Sequence, residues 1–205
     1  MDMETPDIDT TITQATLWAS SEYSGLPLRF SWGIRWEGMT AALVASQVGD
    51  EISGVILADP TFLSLQRQHE VYESDVAEQH RRLLSMSKDD VLAETRARHP
   101  HRSSEIVERL VEARLQTRLN AFEVLKPPNP EYRQLVSAIR APILLILGDV
   151  GSVVSLETAS ELQSLNPRVR VEQIQGAGHG VPYDQPERFE AVVRHFLRSV
   201  NGLLL

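Results

Sequence analysis

The chain has 205 residues, 42% of them hydrophobic, and a net charge of −8. That size and apolar content suit one domain with a sizeable core, and the acidic balance argues against nucleic acid or an anionic membrane as the main partner. With no cysteine, disulfides, thiolate metal sites and a cysteine nucleophile are excluded.

Met1 to Thr13 is polar and acidic. It lacks a basic start followed by an apolar run, so no secretory signal is expected. No stretch reaches the ~18 uninterrupted apolar residues that crossing a bilayer requires, so no membrane association and a cytoplasmic location are expected. Residues 1–28 carry little pattern and are expected to be disordered.

Pattern begins near Phe30. Gly33 and Gly38 bracket a short turn, and Met39 to Val48 reads as a helix with Gly49 as its C-cap. Ala41, Ala42 and Ala45 would let that helix press its backbone against a sheet. Gly54-Val55-Ile56-Leu57-Ala58 is a continuous apolar run stopped by Asp59-Pro60. Continuous hydrophobicity indicates a strand buried on both faces, as in a parallel sheet.

From residue 61 to residue 140 the strand patterns vanish and a helical insertion is expected. Helical periodicity marks Asp75 to Met86, Lys88 to Arg98 and Glu105 to Leu125, with Ser87 and Ser104 as N-caps. Pro127-Pro128-Asn129-Pro130 ends the run. Its basic cluster, Arg96, Arg98, His99, His101 and Arg102, reads as a solvated face. His69, His80, His99, His101 and His195 show no metal-ligand spacing and read as surface or insertion residues.

Pro142 to Leu147 is a second doubly buried strand, ended by Gly148-Asp149. Glu157 to Leu165 reads as a helix, and Val169 to Ile174 alternates like a strand nearer the sheet edge. Gly176-Ala177-Gly178-His179-Gly180 is a tight loop. Asp184 and Glu187 resemble a capping box that opens a last helix. Strand and helix therefore alternate, which predicts a parallel α/β sheet. Asp59, Asp149 and His179 each follow a strand, so all three are expected on one sheet edge.

In this order the features resemble the C-terminal part of the α/β-hydrolase family, from about Gly33 to Leu197. They are the elbow position before Met39, the Val55-to-Pro60 strand end, a cap-sized insertion, Pro142 to Asp149, and Gly176-Ala177-Gly178-His179. The resemblance implies a partial hydrolase core at residues 29–60 and 141–205, with a helical cap at 61–140. It implies a serine hydrolase acting on an ester or similar acyl bond, with His179 as general base. For the acid it leaves two candidates. Asp59, after the strand ending at Ala58, is favoured; Asp149 is the alternative. No cofactor or metal is implied. The expected partner is a small, moderately apolar substrate or ligand, whose size and polarity the cap would set.

Two family features are missing: the early strands and the serine. Arg35 stands at the nucleophile position and Glu37 where a glycine belongs. As written, the chain therefore also fits a non-catalytic small-molecule binder or a truncated, mis-spliced product. The codons offer an explanation. Read from the third base of each preceding codon, Trp32-Gly33 and Trp36-Glu37 must both give glycine. The codons between can give His, Ser and Met, and Glu37-Gly38 can give Gly. The shifted reading Gly-His-Ser-Met-Gly-Gly joins Met39 directly, so residues up to Gly38 are hypothesised to be an out-of-frame reading. With early strands missing, an unpaired sheet edge predicts aggregation or a homodimer.

Overall fold

A computed structural model of the chain describes residues 16–19 and 28–202. Five strands form one sheet in sequence order: Thr16–Ala19 (β1), Leu28–Ile34 (β2), Gly54–Ala58 (β3), Ile143–Gly148 (β4) and Val169–Ile174 (β5). β2 to β5 run parallel, and β1 lies antiparallel to β2 with Thr16 opposite Ser31.

β1 corrects the expectation that all of residues 1–28 are disordered. Thr16-Leu17-Trp18-Ala19 is too short to announce itself by period, but its β-branched and aromatic residues suit a strand once β2 offers a partner. Apart from Leu28, the rest of that segment lies outside the described residues.

Every residue of β3 and β4 is buried, which is why both read as unbroken apolar runs. β5 is the outer strand, and only its ends, Val169 and Ile174, are buried. The parallel strands advance in one direction, so crossovers of one hand place their helices on one face. That face holds Trp36–Val48 (α1), Tyr132–Ala138 (α6) and Leu156–Leu165 (α7) around Val55, Leu57, Ile143 and Leu145. Pro186–Gly202 (α9) covers the other face, where Phe196 and Val200 meet Ile56, Leu144 and Ile146.

α1 begins at Trp36, three residues earlier than its apolar pattern, and ends with Gly49 at φ 59° as its C-cap. Ala41, Ala42 and Ala45 are fully buried. The expected capping box of the last helix is absent. Asp184 instead ends a short helix, Val181–Asp184 (α8), and Gln185 at φ −139° separates it from α9, which starts at Pro186. A residue before proline is pushed out of the helical region, while proline suits a first helical turn.

Residues 63–130 form a separate compact unit. It contains Leu65–Tyr72 (α2), Val76–Leu84 (α3), Lys88–Arg98 (α4), Ser104–Gln116 (α5) and a 3₁₀ turn at Leu119–Leu125. The long helix expected over residues 105–125 breaks where Thr117 and Arg118 adopt extended backbone. Ser87 caps α4 as expected; α5 is capped by Ser103, one residue before the expected Ser104. The division falls at 62/63 and 130/131, so α6, expected inside a 61–140 insertion, belongs with the sheet, where Tyr132, Val136 and Ile139 join its core.

Within residues 63–130, Leu83, Val91, Val107 and Val111 form a small core. His80 is buried there: its Nε2 lies 2.9 Å from the Thr117 carbonyl oxygen, and its ring 5.0 Å from that of Phe122. In the basic cluster Arg96 pairs with Glu108 and Arg98 with Glu94, both exposed. Gln68 is 5% exposed; its Nε2 donates to Leu63 O at 3.0 Å and its Oε1 accepts from Asn129 N–H at 2.7 Å.

Candidate active site

In a parallel sheet the chemistry gathers where the strands end. Ile34 and Ala58 are register partners, as are Ala58 and Ile146, and Gly148 and Ile174. Arg35, Asp59, Asp149 and the loop carrying His179 therefore leave one edge of the sheet.

The structure brings Asp59 and His179 together across 120 residues of sequence. The imidazole Nδ1 lies 2.5 Å from Asp59 Oδ2. The Asp59 side chain is 0% exposed and that of His179 is 23% exposed. A buried carboxylate needs donors. Val153 N–H donates to Oδ2 at 3.0 Å and Val154 N–H to Oδ1 at 3.1 Å, so the loop after β4 supplies two besides the imidazole. Asp59 sits at φ 40°, a left-handed conformation that aspartate tolerates better than most residues. Its own N–H continues the ladder to Ile146 O at 2.8 Å.

Asp149 takes another place. Its side chain is exposed, and Oδ1 accepts from Gly176 N–H at 2.8 Å, three residues before His179. Asp184 does the same one residue before the histidine, where Oδ2 accepts from Gly178 N–H at 2.9 Å. Sequence reasoning missed Val153 and Val154, because backbone donors leave no mark in residue type. It saw Asp184 only as a helix cap.

Arg35 forms the tip of a sharp strand-to-helix turn, at φ 58° and ψ −115°. Such a conformation is costly for a residue with a side chain and persists only where neighbours enforce it. They do so here. Arg35 N–H donates to Ala58 O at 3.1 Å, and Arg35 O accepts from Gly38 N–H at 3.1 Å and Thr61 N–H at 3.1 Å. Gly33 and Gly38 permit the close approach. A Cβ on Gly33 would stand 2.2 Å from Glu37 O, and one on Gly38 would stand 2.7 Å from the Pro60 Cβ. The side chain at the tip is exposed. A guanidinium carries no nucleophilic lone pair at accessible pH.

A parallel sheet, a strained turn after β2, an insertion between β3 and β4, and a histidine loop after β5 define the α/β-hydrolase fold. Known structures agree. The chain superimposes on E-2-(acetamidomethylene)succinate hydrolase with a TM-score of 0.64 at 17% identity, covering 82% of this chain and 66% of that one. A thermophilic esterase from Thermogutta terrifontis gives a TM-score of 0.63 at 22% identity, over 84% of this chain and 65% of that one. An esterase of Mycobacterium tuberculosis gives 0.62 at 26% identity, over 82% and 62%. In sequence, 67 residues are 31% identical to N-formylmaleamate deformylase of Pseudomonas putida, which is 33% of this chain and 25% of the relative. No family model matches the chain. The chain has the α/β-hydrolase fold. It spans a quarter of the curated relative and less than two thirds of these solved structures.

Proposed function

We propose that this chain carries the acid–base half of a serine-hydrolase site, His179 as general base and Asp59 as the acid that orients it. The lineage chemistry is cleavage of an ester or similar acyl bond in a small, moderately apolar molecule. The observation that carries this reading is the 2.5 Å contact between His179 Nδ1 and the buried Asp59 carboxylate. A proton on Nδ1, shared with Asp59, leaves Nε2 to take one from a nucleophile. The relatives' names, a deformylase, a hydrolase and esterases, support acyl-bond cleavage.

The nucleophile is the missing part. The strained tip at Arg35 coincides with the serine of the shifted codon reading, which supports an origin of residues up to Gly38 in a displaced frame. With arginine there, the chain as it stands fits a binder of such molecules better than a catalyst. Hydrolysis of p-nitrophenyl esters distinguishes the two. The chain itself should give none above background. A variant with Ile34→His, Arg35→Ser, Trp36→Met and Glu37→Gly should give measurable turnover that His179→Ala removes. Activity in neither chain, with cooperative melting in both, would favour the binder for the whole lineage. Sequencing the mature transcript tests the displaced frame: an in-frame Ile-Arg-Trp-Glu would sink it.

A further inference from the structure

We propose that Asp149 is a positioning residue for the Asp59–His179 pair, acting through the loop at residues 149–154 as a bracket between the two. The proposal rests on the reading of that pair as the acid–base machinery.

Both ends of the bracket are visible. At its start, Asp149 N–H and Val150 N–H both donate to Ala177 O at 3.1 Å, and Asp149 Oδ1 accepts from Gly176 N–H at 2.8 Å. Three hydrogen bonds thus fasten the histidine loop, two and three residues before the imidazole. At its end, Val153 and Val154 fasten the Asp59 carboxylate from the other side. One six-residue segment therefore holds both members of the pair, although they come from loops 120 residues apart in sequence. Close packing supports the same arrangement: a Cβ on Gly148 would stand 2.2 Å from Ala177 O, so the two loops approach to backbone contact. Ser152 Oγ donates to Gly148 O at 3.0 Å and stiffens the segment between its two ends.

Of the three bonds at the start of the bracket, the one from Gly176 depends on a side chain and can be cut by mutation. Truncating Asp149 leaves the Gly176 N–H without its acceptor and loosens one end of the bracket. Asparagine keeps an oxygen at the same place. The test is hydrogen exchange by NMR on the full chain, as wild type, Asp149→Ala, Asp149→Asn and Asp59→Asn. Asp149→Ala should speed exchange at Val153 and Val154, and of the His179 Nδ1 proton, by about fivefold, the size expected when one hydrogen bond of typical net strength is lost. The β4 amides Leu145 and Leu147 should keep their protection, and Asp149→Asn should behave as wild type. A merely structural role would instead lower protection along β4 by the same factor. Unchanged exchange at Val153 and Val154 in Asp149→Ala, or an equal rise throughout β4, overturns the bracket. The Asp59→Asn arm tests the pair separately. If the His179 Nδ1 proton ignores that change, the acid–base reading fails, while the response of Val153 and Val154 to Asp149→Ala still decides the bracket.

Discussion

Asp59 has little freedom: it is fully buried, left-handed, and bonded to an imidazole and two amides. In a chain whose serine is restored, Asp59→Asn should cut kcat on the order of 10³–10⁴-fold, because an amide can hold the wrong imidazole tautomer. Asp149→Asn should cost far less, since Oδ1 remains to accept from Gly176. Steady-state kinetics of the two variants side by side check this, and equal losses would count against Asp59 as the acid. A second residue reports on pH. Burial raises the Tyr132 hydroxyl above its ordinary value; the neighbouring Arg133 opposes and Glu161 adds to the effect. A raised folded value means stability that is complete below the unfolded value of ~10 and is lost as pH rises through the folded one. The urea midpoint should fall in that alkaline window, and Tyr132→Phe should flatten the fall. The phenylalanine keeps the ring stacked on Phe62 at 5.0 Å.

Among the elements, the turn from β2 into α1 is the most demanding. Gly33→Ala drives a methyl into the Glu37 carbonyl, and since backbone cannot swing aside as a side chain can, it should cost at least about 1–3 kcal/mol. Thermal melts of Gly33→Ala and Gly49→Ala separate sterics from backbone conformation, because a Cβ at Gly49 meets nothing but sits at φ 59°. How legible each element was follows from where its stabilisation arises. β3 and β4 were readable because burial on both faces leaves an unbroken apolar string. The Asp59–His179 contact was half readable: both residues follow strands in the sequence, but which of Asp59 and Asp149 meets the imidazole depended on how one loop folds back. β1 was unreadable, since its pairing partner lies beyond its own four residues. α2 escaped notice because Leu65–Tyr72 buries only Gln68, a polar residue that makes no apolar stripe.

For the whole chain, the sheet has two differently protected sides. β1 pairs with Leu28 to Ser31, and among the described residues no strand pairs with Trp32 to Ile34 on that flank of β2. An open stretch of strand recruits another, so we expect the chain to self-associate, with a dimer as the smallest closed product. Size-exclusion chromatography with light scattering tests it; a clean monomer that melts cooperatively would count against it. The described residues include no helix long and apolar enough to cross a membrane.

Gln68 suggests how the second compact unit entered the chain. One buried side chain bonds both Leu63 and Asn129, so the segment leaves and returns within the reach of a single glutamine. Such geometry describes a module that can be grafted or removed, because the host need supply only one short gap at which to open. Joining residue 62 to residue 131 through a few glycines should then leave the host's sheet intact and its Asp59–His179 contact in place, read as retained strand signal in circular dichroism and a retained His179 Nδ1 proton. A lineage built this way could exchange one helical module for another without rebuilding the strand ends that hold Asp59 and His179.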